Sequence, residues 1–403
     1  MGLKLGWINA KTLSALFILN LFFQRPAALG QNYTIYSLFF SIILVLFFLY
    51  IRKYKYGFYP YITKDMGFMF FMVFIYMFYE SMVAIYFGEA NLMSWLKEVI
   101  ITAVIVLSYG IFLSDKKNND IFFSQLTSII SILGWSSLLT LILSWFIGIE
   151  KLELLRIKIE LYEEFGGDVS AGTVYFPLSM IYSSLKDFGL IKLYRFSGFF
   201  REAGIYQAVA AYCLVVAILS KRSSLVMAGL VAGIICAFST AGLAMLTIAI
   251  GVAYIVRGGV SIKVAVAVAA TGFIGWYVTL YAPMIGILYK YNDVYFNVSI
   301  TERSDAFVRG VYSFMNNPFG YGPFSGDTAN DQITLLSSLG AIGFAGFMIQ
   351  VILLSGFRPG PAQHLKQRMA ACLPILLTAL FSQPIYALPF IYVLVMFSPR
   401  GTY

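Results

Sequence analysis

Two short clusters in the chain carry residue types suited to chemistry on an anion. The first reads Arg195-Phe196-Ser197-Gly198-Phe199-Phe200-Arg201-Glu202 and stands just before an apolar run. A guanidinium group presents a planar fork of donors that matches phosphate oxygens in pairs. A nearby carboxylate could orient a hydroxyl or take its proton. The plainer alternative is that the arginines anchor a membrane interface with their heads in water, while Glu202 favours a helix N-terminus. The second cluster runs Thr301-Glu302-Arg303-Ser304-Asp305-Ala306-Phe307-Val308-Arg309. It continues to Asn317-Pro318-Phe319-Gly320-Tyr321-Gly322-Pro323, a Pro/Gly order that makes a rigid turn. Asp327, Asn330 and Asp331 follow, again just before an apolar run. Helical spacing over 302–314 would bring Glu302, Asp305 and Arg309 near one another.

Other chemistries lack their residues. The single histidine, His364, lies in a basic loop, and Cys213, Cys236 and Cys372 sit far apart in apolar stretches. They read as small buried side chains, so neither a disulfide framework nor a metal centre is expected. There is no phosphate-binding glycine loop, dinucleotide fingerprint, HExxH or serine nucleophile elbow. No cofactor is expected.

The elements that must position these clusters are apolar. The chain has 403 residues, 60% hydrophobic and 12% charged, against about half and about a quarter in soluble domains. Lipid must solvate most of such a surface. The expected fold is an all-α integral membrane protein, a single polytopic domain over 1–403 with about twelve transmembrane helices and two large extracytoplasmic loops. Apolar spans fall near 5–23, 33–51, 66–88, 92–113, 121–148, 203–219, 224–238, 240–256, 264–284, 332–355, 369–382 and 385–398. The breaks at Ser239-Thr240 and Gln383-Pro384 are the least marked. No small-residue cleavage site follows the first apolar stretch, which reads as a retained anchor.

Twelve spans put both termini on one side. That side collects 16 basic residues and three acidic ones, the other 12 basic and 15 acidic, with Glu80 left inside a span. The first side is then cytoplasmic by the positive-inside rule. The net charge of +9 is spread over short loops, as topology requires, and does not point to nucleic acid. Residues 149–202 and 285–331 fall on the outer face, far longer than bundle connections need. Apolar positions 149, 152, 155, 159 and 162 follow helical spacing, and Gly166-Gly167 would end that helix. Residues 169–194 show no period and are a candidate to re-enter the bundle. Gly340, Gly343 and Gly346 read as sites of close helix packing.

A family resemblance rests on these residues. Arg195-x-x-Gly198-x-x-x-Glu202 resembles a stretch of O-antigen polymerases of the Wzy type. Arg303, the Asn317-Pro318-Phe319-Gly320-Tyr321-Gly322 turn, Asn330 and Leu336-x-x-x-Gly340-x-x-Gly343 resemble the second large periplasmic loop and next helix of those polymerases and of O-antigen ligases. The spacing from Arg309 to Gly320 is similar to the arginine-glycine motif of such loops. The resemblance implies a bacterial inner-membrane enzyme of surface-glycan (lipopolysaccharide) biosynthesis, with its active site facing the periplasm and both termini cytoplasmic. It implies a growing glycan on undecaprenyl diphosphate as donor and one lipid-linked repeat unit as acceptor, with a Wzz-like chain-length regulator as a possible partner. Arg195, Arg201, Arg303 and Arg309 would stabilise the leaving diphosphate without a metal. Glu202 or Asp331 would handle the acceptor hydroxyl, with Gly198, Gly320 and Asn330 on the substrate side. Ligases usually carry a histidine where this chain reads Asp327-Thr328-Ala329-Asn330-Asp331, which favours polymerase. A flippase would need polar residues facing a central cavity and no long outer loops. A polyprenyl-phosphate-dependent glycosyltransferase would need an acid in the first outer loop, where residues 24–32 have none.

Overall fold

The computed structural model describes residues 9–24, 33–56, 64–87, 92–156, 173–184, 193–258, 262–281, 294–323, 331–359 and 361–396, with 286, 288 and 325. Asp327, Asn330 and Gly166-Gly167 lie outside the described residues. Thirteen α-helices occur among those described: α1 Ala10–Phe22, α2 Tyr33–Tyr56, α3 Lys64–Phe87, α4 Leu92–Leu113, α5 Lys116–Ile147, α6 Ala203–Leu219, α7 Ser224–Cys236, α8 Thr240–Gly258, α9 Ile262–Tyr281, α10 Val294–Asn316, α11 Leu339–Leu354, α12 Ala362–Phe381 and α13 Pro389–Met396. A helix stands at each of the twelve apolar stretches, and α10 lies within the second long loop. Five helices contain segments long and apolar enough to cross a membrane, Ile35–Lys53, Gly67–Tyr86, Met93–Leu113, Lys116–Ile147 and Thr240–Arg257.

Helix α6 is the axis. All 17 of its residues are buried, as an all-round apolar helix requires, and α5, α7, α8 and α12 pack around it. The periphery reverses the soluble pattern. Tyr36, Phe39, Ile43, Leu46 and Tyr50 of α2 form an exposed stripe, as do Phe71, Phe74, Phe78, Met82 and Ile85 of α3. Where lipid replaces water, helices associate through close packing and local hydrogen bonds. Helices α5 and α7 show both. Ser131 Oγ donates to the Val226 carbonyl at 2.9 Å, and Trp135 Nε1 to the Leu225 carbonyl at 3.1 Å. A Cβ on Gly134 would overlap the Gly229 carbonyl. Gly134→Val must therefore part the two helices at a cost of roughly 1–3 kcal/mol or more. A melting curve in detergent should fall by several degrees; an unchanged melting point would refute this contact.

The first long loop differs from its expected form. Residues 150–152 make a single 3₁₀ turn, and Glu153–Arg156 is a strand, β1. With β2 Thr173–Tyr175, β3 Ser179–Ser184 and β4 Tyr194–Phe196 it builds an antiparallel sheet in the order β1-β2-β3-β4. The helical reading of 149–165 thus fails over 150–156. Backbone groups of β1 find partners on β2 (Glu153 opposite Tyr175, Arg156 opposite Thr173) instead of within the segment. Leu154 and Leu155 remain exposed. The β2–β3 turn does lie along the bundle. Thr140 Oγ1 donates to the Phe176 carbonyl at 2.7 Å, and Leu178 N to Ser136 Oγ at 2.9 Å. These α5 residues lie about 10–16 Å before that helix ends.

The span expected at 332–355 begins as turns, with α11 starting only at Leu339. Both uncertain breaks are real. Phe238, at φ 41°, separates α7 from α8, and residues 382–388 separate α12 from α13.

Candidate anion-binding site

One end of the bundle gathers both long loops. Phe22, the last residue of α1, packs its ring against Phe199 and Phe200. Tyr79 of α3 donates to the Phe319 carbonyl at 2.6 Å. Arg195 on β4 reaches the turn between α7 and α8, its Nε 3.5 Å from the Ala237 carbonyl.

The segment from β4 into α6 is tightly built. Phe196 and Phe200 are fully buried, and Ser197 N donates to the Met180 carbonyl at 3.0 Å. Gly198 has φ +57°, and a Cβ there would stand 2.8 Å from the Tyr206 ring. Its place in the motif is therefore a backbone requirement, a left-handed turn pressed on α6. Glu202 is the N-cap of α6 in extended conformation, but its carboxylate makes no capping hydrogen bond. That carboxylate is held instead by charge. It acts on both Arg195 and Arg303.

Arg195 and Arg303 come from different loops, and both lie within the electrostatic reach of Glu202 and Tyr182. Burial pulls the Arg195 guanidinium below its usual value. The Tyr182 phenol raises it, Arg303 lowers it further, and Glu202 raises it. The Arg195 guanidinium also lies over the Tyr182 ring, 5.5 Å from its centroid, a favourable cation–π contact. Burial likewise lowers Arg303, while Glu202, Tyr182 and Glu302 raise it. Two partly desolvated guanidinium groups are costly, and negative charge beyond that of Glu202 would lower the cost further. Arginine stays protonated in proteins, so the cluster is relieved by binding negative charge. Arg201 is half-buried beside Glu202.

Arg309 and Asp331 form a separate pair. Arg309 Nε donates to Asp331 Oδ1 at 2.7 Å, with side-chain exposures of 55% and 6%. Arg309 thus pairs with an acid beyond the turn, and Asp331 is already engaged. Gly320, at φ +89°, shapes the turn between them: Asn317 Nδ2 donates to its carbonyl at 2.8 Å, and a Cβ on it would overlap the Ala341 carbonyl. Tyr321 N and Gly322 N donate to the Gly340 and Ala341 carbonyls at 3.0 and 2.9 Å, and Phe344 N to the Pro318 carbonyl at 3.0 Å. The turn is therefore strapped to the first turns of α11, where Gly343 leaves helical geometry at φ 64°.

Tyr182 had no sequence signal, because it lies in a stretch without period whose sheet partners are distant in the chain. Among the described residues no three His, Cys, Asp or Glu side chains gather as a metal site. Compared with known proteins, the chain matches no family model, no curated protein and no solved structure.

Proposed function

We propose that the protein is a polymerase of lipid-linked glycan repeat units, acting on the extracytoplasmic face of a bacterial inner membrane. One observation carries this reading: Arg195 and Arg303, from the two long loops, both lie within the electrostatic reach of Glu202, the N-cap of α6. The donor is a glycan on undecaprenyl diphosphate. Its acceptor is a repeat unit on a second carrier lipid. In the transfer, an acceptor oxygen forms a bond to the donor's anomeric carbon as the bond from that carbon to the diphosphate oxygen breaks. The hydroxyl proton leaves to a base, and the diphosphate departs with its negative charge increased. Donors fixed in advance at the developing charge lower the barrier. Arg195 and Arg303 fill that role. Glu202 is preferred as the base because Asp331 is held by Arg309; Asp331 then positions Arg309.

An apolar groove supports the same reading. It measures about 610 Å³ and is lined by Ile18 and Phe22 of α1, Ile132 and Leu133 of α5, Leu178, and Phe199. Phe199, four residues after Arg195 in the chain, is part of its lining, and the groove's apolar walls suit a prenyl chain.

Deleting the gene and separating the surface glycan by electrophoresis tests the proposal. Loss of the ladder, leaving a single repeat unit on its final acceptor, is expected. Polymer retained on undecaprenyl diphosphate would instead make the protein a ligase, and an unchanged ladder would remove it from glycan assembly.

A further inference from the structure

A second cavity opens at the end of the second long loop, and nothing in the reading above uses it. It measures about 280 Å³ and lies between α3, α4, the start of α13 and the end of the second loop. Glu80 of α3 and Glu98 of α4 line it, with Trp95, Gln332, Tyr386 and Tyr392. Glu80 accepts a hydrogen bond from Tyr76, one turn earlier. Tyr386 Oη donates to Gln332 Oε1 at 3.2 Å. Glu98 is exposed at the mouth and Glu80 half-buried within. Trp95 is 8% exposed, and its buried Nε1 has no partner in the protein. Among the described residues, no lysine or arginine lines the space.

This lining suits a polyhydroxylated ring. Carboxylate and amide oxygens accept from hydroxyl groups, the indole N–H donates, and aromatic faces pack on the C–H face of a pyranose. The volume is at the small end of ligand pockets, about 300 Å³, room for one sugar residue rather than an oligosaccharide. Its place is also informative. Gln332 follows Asp331, which holds Arg309, and Arg309 lies six residues, about 9 Å, along α10 from Arg303.

We propose that this cavity binds one terminal sugar of the acceptor repeat unit, with Glu80 accepting from a sugar hydroxyl, so that it is a specificity site of the polymerase. The inference rests on the polymerase reading for the word acceptor, but not for sugar binding itself.

Purified full-length protein in nanodiscs would be mixed with a panel of free hexoses, hexosamines and N-acetylhexosamines and examined by saturation-transfer NMR. At least one sugar should show transfer above empty nanodiscs. Glu80→Gln keeps an acceptor for Tyr76, and it should weaken that signal at least tenfold. Trp95→Phe should weaken it too, while Arg303→Ala should leave it intact. No transfer to any sugar, or equal transfer in wild type and Glu80→Gln, would overturn the proposal. A sodium-dependent melting shift lost in Glu80→Gln, without sugar transfer, would assign the cavity to a cation and overturn it as well. Sugar transfer that depends on Glu80, with an unchanged glycan ladder in Glu80→Gln and Arg303→Ala cells, would keep the sugar site and reject the polymerase.

Discussion

Arg303→Ala and Arg195→Ala should each cut polymer formation about 10²–10³-fold, the usual loss when one donor to a developing anion is removed. Membranes bearing each variant, supplied with lipid-linked repeat units, would give the rate. Immunoblots would show equal protein. The argument is electrostatic. Both guanidinium groups are already destabilised by burial, and Arg195 also by Arg303, so the proposed binding site has met that cost before substrate arrives. An anion entering between them gains the interaction without reorganising the site. Because both would grip one diphosphate, their losses should not add: the double variant should fall only slightly below either single one. Arg195→Lys should recover little, since an ammonium cannot offer two parallel donors or lie flat over the Tyr182 ring as a guanidinium does. A ladder of normal length and amount from Arg303→Ala would end the assignment of this residue to the leaving group.

Gly343→Val should sharply reduce the yield of folded protein. Gly343 has φ 64° and ψ 179°, a region essentially reserved for glycine, where another residue pays roughly 1–3 kcal/mol. Its new Cβ would also overlap the Phe319 carbonyl. That carbonyl accepts from Tyr79, and the neighbouring Pro318 carbonyl accepts from Phe344 N. Moving the turn aside breaks both bonds, at about 1 kcal/mol each. The sum, about 3–5 kcal/mol, is a large part of a typical protein's stability. Size-exclusion profiles from detergent extracts would report it, with Gly272→Ala, which meets nothing within 4 Å, as the control. A normal profile for Gly343→Val would mean that the turn does not sit on α11.

The helical part of the fold was legible because its signal is local. Residues 203–219 are apolar on every side, and the helix there has those bounds. The break at Pro384 and the turn at Ser239 were the least legible, each with only a few residues to mark it. Position 149 onward misled for the opposite reason. Ile149 and Leu152 are buried at helical spacing, yet the next residues pair with Thr173–Tyr175, some twenty positions away, which no local period can announce. The candidate site was half legible. Residue types marked Arg195, Arg303 and Glu202. That they meet, and that Arg309 and Asp331 form their own pair, follows only from how the two loops fold over the bundle. Gly198 and Gly320 were placed on the substrate side by resemblance, whereas the structure gives each a backbone reason to be glycine.

The strap between the second loop and α11 has a mechanical consequence. Three backbone bonds and Tyr79 fasten the 318–322 turn to α11 and α3, and that turn directly follows α10, which bears Arg303. Arg195 rides instead on a sheet edge moored to the α7–α8 corner and to α5. The two arginines of the proposed clamp thus belong to different struts of the frame. If the two arginines share one diphosphate as proposed, a small slip between those struts would change the spacing of its donors.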